Sequence, residues 1–172
     1  MVAQRELCAH HRYRLSADDV VWPDGTLTSY GVFKQPEAAL IVPLTGQGTT
    51  YIVRQWRHSW ETDAWELPAG TMEEGEEPLA TARRELVEEV GLEAQRWDPL
   101  GTARATAVST MRFHFFMARE LTRVDRRPEI YEQDMVIRQL PLEEALGLAA
   151  DGTIQHAASI AALYRAQRAL LR

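Results

Sequence analysis

The chain has 172 residues, 45% of them hydrophobic, which suffices for one well-packed domain and not for two generous ones. A formal net charge of −6 excludes a broad nucleic-acid-binding surface, and an acidic protein that handles phosphate needs cations at its site. The single cysteine, Cys8, excludes an internal disulfide and fits a reducing cytosol. With no apolar leader and no run of membrane-spanning length, a cytoplasmic protein that avoids membranes is expected.

The first residues, MVAQRELCAHHRYRL, read as a polar terminus. His10 and His11 stand beside Cys8 but lack the spaced partners of a metal site. From about Tyr13 to Phe33 the pattern predicts a hairpin, turning at Pro23-Asp24-Gly25. Ala38 to Leu44 and Thr50 to Trp56 are short β-rich runs around a Gly46–Gly48 loop. The second run ends in Arg54-Gln55-Trp56-Arg57, and its two arginines suit either a phosphate clamp or ion pairs with the acidic loop that follows. Trp56, Trp60 and Trp65 read as core or interface packing, with base stacking as the alternative.

The stretch Gly70 to Leu92, GTMEEGEEPLATARRELVEEVGL, carries the most information. Gly70 and Gly75 bracket an acidic loop, and Glu76-Glu77-Pro78 marks the start of a helix. Leu79, Ala82, Leu86 and Val90 form one apolar stripe, and Gly91 stands where a left-handed cap ends the helix. Glu85, Glu88 and Glu89 fall at i, i+3 and i+4, so their carboxylates crowd one side; by spacing alone this is either a solvated acidic face or a site suited to a hard divalent cation. Arg84, four residues before Glu88, can orient it.

Beyond this helix, Trp97 to Arg104 leads to a loop, 105–110, and then to a strand, Met111 to Ala118. Met111, Phe113, Phe115 and Met117 share one face of that strand; Arg112, His114 and Phe116 share the other. A charged loop, Thr122 to Asp134, offers Glu129, Glu132 and Asp134 before a further strand, Met135 to Leu140. Two helices follow, Pro141 to Ala150 and Gln155 to Leu171, broken at Asp151-Gly152. Ile160, Leu163, Tyr164, Gln167 and Leu170 are expected to pack the last helix on the domain. The order of elements is that of an α+β protein.

Gly70, Glu76, Arg84-Glu85-Leu86, Glu88-Glu89 and Gly91 match the fixed positions of the Nudix box, so the chain resembles the Nudix hydrolases. The VRQWR strand and the Glu66-Leu67-Pro68-Ala69-Gly70 approach are similar to the ADP-ribose pyrophosphatase branch. The resemblance implies a Nudix fold, with a mixed β-sheet sandwiched between helices and a small N-terminal antiparallel β-sheet. It implies a hairpin subdomain over 1–36 serving dimerisation, and a hydrolase domain over 37–172. It further implies metal-dependent cleavage of ADP-ribose or a related nucleoside diphosphate sugar, a small-molecule substrate, and a homodimer. Mg²⁺ is the expected ion, with Mn²⁺ as the alternative.

By the same resemblance the Ala69 carbonyl, Glu85 and Glu89 hold metal, and Glu88 bridges or positions a second ion. Glu132 or a box carboxylate takes a proton from water. Arg57 and, more weakly, Arg54 contact phosphate; Tyr30 meets adenine; Glu66 lies near the terminal ribose or orders the site. The family's spacing counted back from Leu140-Pro141 lands on Gln133, so Glu132 requires a slip of one residue. The loop 105–110 lacks the proline that many relatives carry, which leaves the sugar open. A dinucleoside polyphosphate hydrolase and a non-catalytic sensor of nucleotide sugars remain the alternatives.

Overall fold

A computed structural model describes residues 2–130 and 132–171. Its centre is β4 (Ala38–Pro43), in which every residue is buried. Successive side chains of a strand point to opposite faces, so this continuous apolar run serves two cores. Leu40 and Val42 enter one, with Phe115 and Met117 and with Leu146, Ala162 and Leu163 of the C-terminal helices. Ala39 and Ile41 enter the other, with Ala82 and Leu86 of the box helix. The mixed sheet thus lies between helices, as the resemblance implied.

That sheet runs β7-β4-β9-β8, comprising β7 (Ala69–Thr71), β8 (Leu92–Arg104) and β9 (Arg112–Arg123) around β4. Strands β4 and β9 are parallel, with Ala38 opposite Phe113, while the other pairs are antiparallel. A second sheet, β10-β5-β6, joins β5 (Thr49–Arg57), β6 (Thr62–Glu66) and β10 (Val136–Pro141). Helices α2 (Leu142–Ala150) and α3 (Ala157–Leu170) close the chain.

The hairpin expected over Tyr13 to Phe33 forms, as the antiparallel pair β2 (Tyr13–Val21) and β3 (Leu27–Lys34) with its turn at Pro23-Asp24-Gly25. The sequence reading missed a third strand, β1 (Ala3–His10), which pairs with β2 on its other edge. All eight side chains of β1 are exposed, so no apolar alternation betrays it; backbone pairing to β2 and exposed polar contacts such as Gln4 with Asp18 hold it. The box helix also differs. α1 spans Pro78–Glu85, and Leu86–Val90 widens into a π-helical turn that Gly91 closes at φ 69°. Glu76 lies before the helix, in the loop.

The C-terminal stripe is shifted too. Ala158, Ser159, Ala162, Leu163 and Ala166 are the buried residues of α3, whereas Tyr164 and Leu170 are exposed. Small residues let this helix lie close to the sheet, and alanine carries little hydrophobic signal of its own. Of Trp56, Trp60 and Trp65, the first two are exposed and Trp65 packs against the core.

Candidate active site

The box helix, β7 and the loop before β10 meet at one point. There Glu85, Glu89 and Glu132 bring carboxylate oxygens within 4.8 Å of one another, and all three residues are buried. Glu89 Oε2 accepts the N–H of Ala69 at 2.8 Å, tying the helix to β7. Glu132 Oε2 accepts the N–H of Glu129 at 3.0 Å. Arg126 straps that loop to the helix, donating to the carbonyls of Glu88 at 3.2 Å and Glu132 at 2.8 Å. Space, rather than a turn, demands glycine at position 70: a Cβ there would stand 1.7 Å from Glu85 Oε1.

Arg84 is the organiser on the loop side. Its Nε and one terminal nitrogen grip both oxygens of Glu76 at 3.1 Å. The other terminal nitrogen donates to Glu85 at 2.6 Å and to Glu88 at 2.9 Å. Hydrogen bonding to Arg84 holds the Glu76 carboxyl down at about 2. Glu85 goes the other way: burial lifts it to about 7, although Arg84 pulls against this. Glu89 is pushed well above its ordinary value by burial and then by the charge of Glu85. One guanidinium therefore does not neutralise the cluster.

These carboxylates open on a cavity of about 390 Å³, which Arg12, Tyr13, Arg57, Phe113 and His156 also line. Arg57 is not a free cation. Its guanidinium donates a two-pronged pair of bonds to Glu66, at 2.8 and 2.6 Å, and Glu66 is 1% exposed. Arg54 lies outside the cavity lining, stacked over the Trp65 ring at 5.6 Å. Tyr30 is outside it as well, its hydroxyl donating to the Ala107 carbonyl at 3.4 Å. Glu88 faces a neighbouring hollow, with Glu93, Asp125 and Arg127.

Several lining residues escaped the sequence reading, among them three that are polar and reach the cavity from distant segments: Arg12, Tyr13 and His156. Arg12 and Tyr13 come from the turn between β1 and β2, and Arg12 donates to the Met72 carbonyl and to Thr71 Oγ1, both at 2.8 Å. Finding them required β1, which has no pattern. His156 precedes α3, far from the box in sequence, and is fixed by Ser159 at 2.9 Å. Nothing in its neighbourhood signals a site.

Residues 34–163 match the NUDIX domain family, and the chain belongs to that family. It is a Nudix hydrolase related to the ADP-ribose pyrophosphatases. The ADP-ribose pyrophosphatase of Bacillus subtilis (strain 168) is 33% identical over 150 residues, covering 86% of this chain and 80% of the relative. That of Mycobacterium tuberculosis (strain ATCC 25618 / H37Rv) is 35% identical over 153 residues, covering 87% and 73%. A crystal structure of an ADP compounds hydrolase matches with a TM-score of 0.87 over 98% of this chain and 92% of that one; at 20% identity it speaks for the fold.

Proposed function

We propose that this enzyme hydrolyses the pyrophosphate bond of ADP-ribose or a related nucleoside diphosphate sugar, giving AMP or another nucleoside monophosphate and a sugar phosphate, with a divalent metal. The observation that carries this reading is the trio Glu85, Glu89 and Glu132, buried together at the wall of a cavity that three arginines, Arg12, Arg57 and Arg84, also line. The two pyrophosphatase relatives supply the substrate class. Two carboxylates with raised proton affinity, Glu85 and Glu89, crowded beside a third in low dielectric, suit Mg²⁺ or Mn²⁺. Glu85, Glu89 and the Ala69 carbonyl would hold such an ion, which would supply Lewis acidity toward a phosphate oxygen and a more acidic water.

The chain's own residues do the rest. Glu88, oriented by Arg84 and facing the neighbouring hollow, would position a second ion. Glu132, kept in place by Arg126 and by the Glu129 N–H, accepts the proton of the attacking water. Arg57 remains at the cavity wall and, held rigid by Glu66, stabilises charge as it grows on the phosphate oxygens. Arg12 and Tyr13, not Arg54 and Tyr30, reach the cavity, so the phosphate and adenine contacts pass to them.

A homodimer formed through the N-terminal sheet is part of the proposal. Leu7, Leu15, Val21 and Leu27 stand exposed on that sheet, and light scattering that gives the mass of a single chain would refute the dimer. The cytoplasm suits the exposed thiol of Cys8; among the described residues no helix is long and apolar enough to cross a membrane.

The test is turnover of a panel of ADP-ribose, ADP-glucose, GDP-mannose, diadenosine polyphosphates and dGTP, with Mg²⁺ and with EDTA. Fastest release of AMP from ADP-ribose supports the reading. Preference for dGTP or a dinucleoside polyphosphate overturns the substrate, and tight binding without turnover overturns catalysis.

A further inference from the structure

One imidazole in the cavity wall has no part in the hydrolysis as described. His156 is largely buried, its side chain 20% exposed, with its ring edge-on to Phe113 and tilted against Trp60. Its proton can be located by counting. Ser159 is fully buried, and its Oγ accepts the N–H of Leu67 at 2.9 Å. The single hydroxyl proton still needs an acceptor, and His156 Nδ1, at 2.9 Å, is the one in reach. Nδ1 comes only within 3.4 Å of Glu66 Oε2, outside hydrogen-bond geometry.

A ring whose Nδ1 accepts, and which is neutral, carries its proton on Nε2. Burial first, and then the charge of Arg57, keep this imidazole below its ordinary proton affinity against the pull of Glu66. Among the described residues no hydrogen bond engages Nε2, while the residue lines the cavity. The site therefore presents one fixed, uncharged N–H donor.

We infer that His156, locked by Ser159 as its Nε2–H tautomer, donates to a hydroxyl oxygen of the substrate's sugar and so helps to select that sugar. The inference deepens the nucleoside diphosphate sugar reading and rests on it. Charge selects the hydroxyl over a phosphate oxygen. Arg12, Arg57 and a cation at the carboxylate cluster are the groups matched to the anionic diphosphate. The uncharged His156 donor is left for a neutral acceptor.

Two measurements test it. Long-range ¹H–¹⁵N spectra of histidine-labelled protein should show His156 neutral with the proton on Nε2; an Nδ1–H tautomer overturns the inference whatever the activity. Kinetics then compare the wild type, His156→Phe and His156→Gln on ADP-ribose and on analogues lacking one hydroxyl of the terminal ribose. Phenylalanine keeps the aromatic packing and should lower kcat/KM about tenfold, chiefly through KM. Glutamine places an amide N–H near the Nε2 position and should recover most of the loss. One deoxy analogue should lose about tenfold with the wild type and nothing further with His156→Phe. Equal penalties in both proteins, or a His156→Phe enzyme as fast as wild type, overturn the contact. Melting temperatures separate a lost contact from a lost fold. A wild type that leaves every ADP-sugar intact overturns the substrate reading and the sugar contact together, and its rate distinguishes that outcome from failure of the contact alone.

Discussion

Glu85 makes the metal-free protein pay for its site, and the penalty depends on pH. Its carboxyl titrates near 7 in the folded chain, against an ordinary 4.5. For an acid whose proton affinity rises on folding, the destabilisation is absent below the unfolded value, grows as pH rises between the two, and is complete above the folded value. Between pH 5 and pH 8 this amounts to about 2–3 kcal/mol. Glu85→Gln removes it while keeping the shape. Without metal, the variant should therefore gain on the wild type by about 5–10 °C in melting temperature over that span. Glu76, held low, and His156, also held low, both push stability upward with pH. They are present in both proteins and cancel in the difference. With Mg²⁺ the ordering at pH 8 should reverse, because the ion stabilises only a chain that keeps its ligands. The assay is differential scanning fluorimetry of both proteins at five pH values, with EDTA and with Mg²⁺. Parallel curves across pH 5–8 in EDTA would refute the reasoning.

Gly70→Ala should drive Glu85 out of the cluster, since the new methyl would stand 1.7 Å from Oε1; metal affinity by calorimetry should fall about 10–100-fold with circular dichroism unchanged. Arg57→Ala strands a carboxylate that is 1% exposed and should cost about 3–5 kcal/mol in urea unfolding. Glu66→Gln leaves only the half-exposed arginine without its anion and should cost less, about 2 kcal/mol; the opposite order would contradict the burial argument. Arg126→Ala releases two carbonyls, and hydrogen exchange over 129–135 should quicken while kcat falls about 10–100-fold. Unchanged exchange would show that the strap holds nothing.

Much of this was legible in the sequence, for reasons that can be named. The box helix announces itself through Pro78, the Ala82–Leu86 stripe and Gly91, because caps and periodicity are local signals. The run Ala38–Pro43 was readable as strand because it is buried on both faces. Glu85 and Glu89 could be paired from spacing alone, whereas the Glu132 carboxylate joins them through a loop held by Arg126, a contact between distant segments. β1 was invisible because it is held by backbone pairing and exposed polar contacts rather than by buried apolar side chains. Arg12, Tyr13 and His156 followed it out of view, since each reaches the cavity only once strands and helices distant in sequence have docked. The widening of Leu86–Val90 into a π-helical turn likewise leaves no mark in the spacing of the glutamates.

The most direct test of the central claim is AMP release from ADP-ribose by the wild type and by Glu89→Gln, each titrated with Mg²⁺ from an EDTA-treated start. Glu89 is buried at the cluster with Ala69 on one oxygen, so the wild type should be silent until the ion is added and the variant should stay at least about a hundredfold slower at every concentration. Full activity in EDTA, or a variant that matches the wild type at saturating Mg²⁺, would contradict a metal-centred hydrolase.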